Sequence, residues 1–213
     1  MTTAQGNVLI DYQHHIESLN MPAGKKKILL AAMTLFSQQG YNGTSTAQIA
    51  TESGMSQATI FKHFKTKEEL LLAIMTPITN VIAHDLDDEI IHSHDLESLI
   101  HLIVTNRFRL IEANQPLFRI LVQEVTIHPA IKELMFNTFQ VFFERLLLAV
   151  RKLGQQDPAF NSQLSDSQLA HIFMSQLGAL LIRYFILELS GDIPQELAMV
   201  EKQILILLRN NHY

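Results

Sequence analysis

The chain has 213 residues, with 16 Lys and Arg against 21 Asp and Glu, and no cysteine. That length can bury a full core unaided, and the missing thiols exclude disulfide frameworks, thiolate metal sites and cysteine nucleophiles together. A formal charge of −5 excludes a uniformly basic nucleic-acid binder, yet residues 21–67 hold six lysines against Glu52 alone, a balance of +5 that leaves −10 elsewhere.

No basic, apolar leader opens the sequence, and apolar stretches such as 177–182 and 204–208 are interrupted by Arg183, Glu188 or Arg209 far short of a membrane span. A cytoplasmic protein without membrane contact is expected. Apolar residues recur at three- and four-residue spacing almost throughout, so the expected fold is all-α with about nine helices.

Residues 1–20 form a polar N-terminal extension in which Val8, Tyr12, Ile16 and Leu19 allow a loose amphipathic helix; disorder fits equally. Met21-Pro22 opens the first confident helix. Its stripe is Ile28, Leu29, Ala32, Leu35 and Phe36, and Gly40 suits a left-handed C-cap. Ser45 with Gln48 has capping-box spacing for a second helix, with Thr44 as a competing cap. That helix ends near Gly54. Ser56 can cap a third helix through Phe64, and Thr66 with Glu69 makes another capping box that opens a fourth. Beyond it, breaks at 114–116, 128–130, 154–158 and 190–194 divide the chain into helices over roughly 95–113, 116–126, 129–153, 166–189 and 194–210.

Ala50, Gly54 and Ile60 have the spacing of a helix-turn-helix. A small residue lets two helices cross closely, glycine takes the turn, and an apolar residue anchors the second helix to the first. A wider set of positions extends the match: Ala32, Phe36, Gly40 and Tyr41; Thr44, Ile49 and Ala50; Gly54, Ser56, Thr59, Phe61 and Phe64; then Lys67, Glu68 and Leu70. Over these fifty residues the chain resembles the DNA-binding domain of the TetR family of bacterial transcriptional regulators. The resemblance implies a three-helix DNA-binding domain over 21–67, a larger helical effector-binding and dimerisation domain over 68–213, and no catalytic activity or cofactor.

A helix that enters the major groove presents hydrogen-bonding or cationic groups rather than carboxylates, and residues 56–67 obey this. Carried over from the family, Gln57, Ala58 and Thr59 stand for base-reading residues, and Thr44, Thr46, His63 and Lys67 for phosphate contacts. Phe61 stands where the family commonly has tyrosine, without its hydroxyl, and Ala47 where many members place a long polar residue. Phe61 and Phe64 also read as core packing. Lys62 and Lys65 fit phosphate contacts or a solvated face, and Lys25 to Lys27 fit either role.

The resemblance further implies a homodimer through the last two helices, on a palindromic double-stranded DNA operator. Ile172, Ser175, Ala179, Ile182 and Ile186 share one face of the first of these helices; Leu197, Val200, Ile204, Leu207 and Leu208 lie along the second. Between 95 and 153 an apolar, aromatic sequence is interrupted by polar groups, as an effector pocket or an ordinary core would be. The candidate pocket residues are His101, Arg107, Phe108, Gln123, Glu124, His128, Phe139 and Phe143. His84, Asp88 and His92 share a helical spacing that suits a metal, but such clusters are also common at polar helix ends, and no metal is expected. The function expected is a ligand-responsive repressor released from its operator by a small-molecule effector. The alternative is a helical carrier or enzyme with an incidental basic segment, although no G-x-S-x-G, H-E-x-x-H or phosphate-cradling glycine loop is present.

Overall fold

The computed structural model describes residues 13, 14, 16–84 and 86–210. The part of the expected amphipathic helix around Val8 and Tyr12 lies outside these, while Ile16, inside them, is buried. Among the described residues ten helices are named: α1 (Ala23–Gln39), α2 (Thr46–Ser53), α3 (Gln57–His63), α4 (Lys67–His84), α5 (Asp87–Ile91), α6 (Leu96–Ala113), α7 (Gln115–Glu124), α8 (Pro129–Gly154), α9 (Asp166–Phe185) and α10 (Ile193–Leu208). The all-α expectation holds, and the helix beyond the nine is the short α5. The chain divides into two compact units, one of Met1–Ile82 with Ala113–Asn137, the other of Ala83–Glu112 with Thr138–Tyr213. The boundary expected at 67/68 therefore falls inside the first unit, where α4 begins.

In the first unit, α1 turns Ile28, Leu29, Ala32, Met33 and Phe36 inward. Gly40 ends it at φ 78° and ψ 162°. The positive φ calls for glycine, but the backbone is extended there and not the left-handed helical cap expected. The Ser45–Gln48 capping box forms in full. Thr44 does not compete for that cap, because its hydroxyl donates to the Gly40 carbonyl at 2.8 Å. Ser56 caps α3 by accepting from the Thr59 N–H. Thr66 accepts from the Glu69 N–H at 3.0 Å, whereas the Glu69 carboxylate reaches back to the N–H of Lys65 at 2.7 Å, one residue earlier than a capping box requires.

In the second unit, α6 buries Leu96, Leu99, Ile100, Ile103, Val104, Arg107 and Phe108, a single helical stripe. α9 and α10 pack on one another. α9 stops at Phe185, short of the expected 189, because the Leu187 N–H closes onto the Ile182 carbonyl at 2.9 Å and the chain turns through Glu188 at φ 53°. On α10, Val200, Ile204 and Leu208 are buried within the chain itself. They are not available to a symmetry mate, which corrects the face expected from spacing alone. The outward apolar residues are Met199, Ile206 and Leu207. The end of α10 is tied down by Arg209, which pairs with Asp157 and Glu97. The expected His84, Asp88 and His92 face is interrupted between α4 and α5, and no group of three metal-ligating side chains occurs among the described residues.

Candidate nucleic-acid interface

α2 and α3 cross as the spacing of Ala50, Gly54 and Ile60 predicts. Ile49, Ala50 and Ile60 are buried, and Gly54 turns the chain at φ 65° and ψ 24° in the left-handed region. A Cβ at Gly54 would meet nothing within 4 Å, so glycine is needed for conformation and not for space. Burying Ile60 contributes about 2 kcal/mol and fixes the rotation of α3 about its axis. Gln57, Ala58, Phe61 and Lys62 are thereby exposed on α3. Thr59 is half-buried, with its hydroxyl 2.8 Å from that of Ser56. His63 is half-buried beside Phe64. The two phenylalanines separate: Phe64 is core, whereas Phe61 is 47% exposed, contrary to the packing role expected for both.

From Gln57 to Lys67 there is no carboxylate, and Lys62 and Lys65 reach solvent. Other expected phosphate contacts are used internally. Lys67 donates to the carbonyls of Tyr41 (2.9 Å) and Thr44 (3.0 Å) and lies 4.1 Å over the Tyr41 ring, and burial lowers its pKa while Glu124 acts in the opposite sense. Thr44 is 2% exposed. The loop 41–44 ahead of α2 needs donors for its carbonyls, and these two side chains supply the local structure rather than face outward. Thr46, at the first position of α2, is half-buried, where the helix N-terminus favours an anion independently of side chain. Among the leading lysines, Lys25 lies 5.3 Å from the Phe64 ring centre and Lys26 donates to the Glu17 carbonyl, leaving Lys27 exposed.

The same loop is held from α7 and the start of α8. Asn42 Nδ2 donates to Glu124 Oε1 at 3.1 Å. His128 Nε2 stands 3.1 Å from Glu124 Oε2, out of line for a hydrogen bond, while its Nδ1 is 3.2 Å from Glu68 and its ring meets Tyr41 edge to face at 5.6 Å. Burial first, then Glu124 and Glu68, push the Tyr41 phenol up to about 12. Sequence reading missed Tyr41 and Asn42 as members of this network. Nothing local marks a pair of residues 82 positions apart.

The eight candidate pocket residues are divided between the two units. Glu124 and His128 brace the loop 41–44, and Gln123 is exposed. In the second unit His101 is exposed and paired with Glu201 at 2.9 Å. Arg107 is buried with its guanidinium 4.8 Å over the Phe142 ring, and Phe108 packs against Tyr184 and Phe185. Phe139 is exposed and lies 6.4 Å from the half-buried Phe143. Arg107 and Phe108 are therefore core, because the apolar stripe of α6 carries them inward.

Residues 28–74 match the sequence pattern of bacterial regulatory proteins of the tetR family. The HTH-type transcriptional regulator YvkB of Bacillus subtilis (strain 168) is 30% identical over 188 residues, covering 80% of this chain and 88% of that protein. The chain belongs to the TetR family. A TetR-family chain is a transcriptional regulator and not an enzyme, which removes the catalytic alternative. The HTH-type transcriptional repressor KstR2 of Rhodococcus jostii (strain RHA1) is 22% identical over 162 residues, 76% of this chain and 79% of that one. A regulator from Saccharomonospora viridis, crystallised in complex with choline, superposes with a TM-score of 0.70 at 22% identity, over 88% of this chain and 98% of that one. The TetR pattern runs from α1 into α4, so it takes in Tyr41 and Lys67 but not Glu124 or His128. No described helix is long and apolar enough to cross a membrane.

Proposed function

We propose that this TetR-family protein is a homodimeric repressor that reads a palindromic operator with α3 and leaves it when a small-molecule effector binds. The observation that carries the reading is the outward face of α3. Gln57, Ala58, Phe61 and Lys62 are exposed on a helix free of carboxylates and locked by buried Ile60. Gln57 suits an adenine edge, and Ala58 with the Thr59 methyl suits a thymine methyl. Phe61, without a hydroxyl, offers apolar contact at the groove wall. Thr46, His63, Lys62 and Lys65 meet phosphates, while Thr44 and Lys67 act from behind by holding the loop that positions α2.

Repression is supported by the name of the repressor KstR2, and effector binding by the choline complex of the Saccharomonospora regulator. The dimer is supported by apolar and small side chains left outward on the last two helices: Ser175, Ala179 and Ile182 on α9, and Met199, Ile206 and Leu207 on α10. Two reading heads related by a two-fold axis match a palindrome.

The test is selection of DNA from a random pool by the purified protein at near-physiological salt, beside Gln57→Ala and the double variant Gln57→Ala, Thr59→Ala. Wild type enriches a palindrome that the double variant fails to enrich while keeping its helical circular dichroism. The same palindrome recovered equally by the double variant would remove α3 as the reading head.

A further inference from the structure

In the second unit, α5 and the C-terminal half of α8 enclose a groove of about 440 Å³, within the size range of small-molecule clefts. Its floor is Ile90 and Leu153, both buried. Its walls are Ile91 and Leu148, which are 65% and 71% exposed. An apolar surface of this kind favours an apolar occupant over water.

The charges are arranged along the same stripe. Arg145, Leu148, Ala149 and Lys152 stand at i, i+3, i+4 and i+7 on α8, so an apolar centre has a cation at each end. Arg145 is committed to Asp87, with its Nη1 also 2.6 Å from His84 Nδ1. Lys152 is exposed and has no ion-pair partner among the described residues. With Arg145 offset by Asp87, the groove keeps one uncompensated positive charge at its Lys152 end.

We infer that this groove is the effector site and that it takes a small molecule with an apolar body and one anionic head, of the chemical class of a medium-chain carboxylic acid. The head pairs with Lys152 and the body covers Ile90, Leu148 and Leu153. The inference rests on the reading of the protein as a ligand-responsive regulator. The groove also touches the machinery of the interface through the chain: His84, beside Arg145, is the last residue of α4, and Lys67, the first, holds the loop ahead of α2. With the head at Lys152, the apolar body runs past Leu148 toward the Arg145–Asp87 pair, and so bears on the end of that helix.

The test uses the full chain, wild type, Lys152→Glu and Leu148→Ser, both changes lying at exposed positions that leave the core intact. The fluorescent probe 8-anilinonaphthalene-1-sulfonate, itself an apolar body with one anionic head, is bound and then displaced by decanoate, decan-1-ol or decyltrimethylammonium. Binding of DNA recovered by selection is measured with and without decanoate. Decanoate is expected to displace the probe from wild type, at least tenfold more weakly from Lys152→Glu and several-fold more weakly from Leu148→Ser. Decan-1-ol should not distinguish Lys152→Glu from wild type. Decanoate should release DNA from wild type at a concentration that leaves both variants bound, and all three proteins should bind DNA alike without it. Equal decanoate affinity in wild type and Lys152→Glu, preference for the cationic detergent, or no probe binding at all overturns the assignment. Decanoate binding that depends on Lys152 and Leu148 but leaves DNA affinity unchanged keeps the site and refutes the response. Equal release of DNA from all three proteins keeps the response and refutes the site.

Discussion

Glu124 is a carboxylate that is 1% exposed and serves Asn42, His128 and, at longer range, the Tyr41 phenol. Hydrogen bonds to a charged group contribute about 1.5–3 kcal/mol each, so Glu124→Ala is expected to lower stability by about 2 kcal/mol. Glu124→Gln keeps an acceptor for Asn42 and should lose less. Urea unfolding midpoints of the two variants check this, and an unchanged midpoint for Glu124→Ala would show that the network is idle. Tyr41 gives a second prediction with a definite sign. Its phenol is raised from 10.0 to about 12, so the fold favours the neutral form. That contribution is complete below pH 10 and is lost as pH rises through 12. Ultraviolet titration should show a tyrosinate forming near pH 12 that disappears in Tyr41→Phe. The subtraction is needed because Tyr184 is also raised, by burial first and then by Glu196.

Among the helices, the contrast between Lys62 and Lys67 is sharpest. Both fall in one basic stretch, yet Lys62 is exposed on α3 and Lys67 is spent on the carbonyls of Tyr41 and Thr44. Each phosphate neutralised contributes about −0.9 to the slope of log K against log salt. In a dimer, Lys62→Ala should make that slope shallower by about 2. Lys67→Ala should leave the slope unchanged and instead lower stability by about 1–2 kcal/mol, since the Thr44 carbonyl loses its ammonium donor and the Tyr41 carbonyl keeps only the Thr44 N–H. Salt-dependent binding isotherms beside urea curves separate the two cases. A slope change in Lys67→Ala would mean that its ammonium leaves the loop for the DNA.

For the whole molecule, the question is which surface meets a second copy. The candidates are the outward residues of α9 and α10, where Ile182 is 47% and Leu207 45% exposed. A charge placed there meets its own copy across a two-fold axis. Ile182→Glu is expected to sediment as one chain where wild type sediments as two, with unchanged circular dichroism. Operator affinity should fall about a hundredfold, because the second head no longer binds at high effective concentration. A dimeric Ile182→Glu would move the interface elsewhere.

Local features of this protein were legible in its sequence for a physical reason: caps and periodicity act within a few residues. The Ser45–Gln48 box, the turn at Gly54, the limits of α8 and the carboxylate-free outer face of α3 all follow from neighbours no more than one or two helical turns away. What the tertiary structure alone decided is how each apolar or charged side chain is used. Spacing marks Val200 and Leu207 alike as apolar, but only the packing of α9 on α10 buries the first and leaves the second outside. The sequence marks Lys67 as basic; the carbonyls of Tyr41 and Thr44 turn it inward. Glu124 with Asn42, and the groove that joins 87–91 to 145–153, depend on side chains far apart in sequence, which no local propensity encodes.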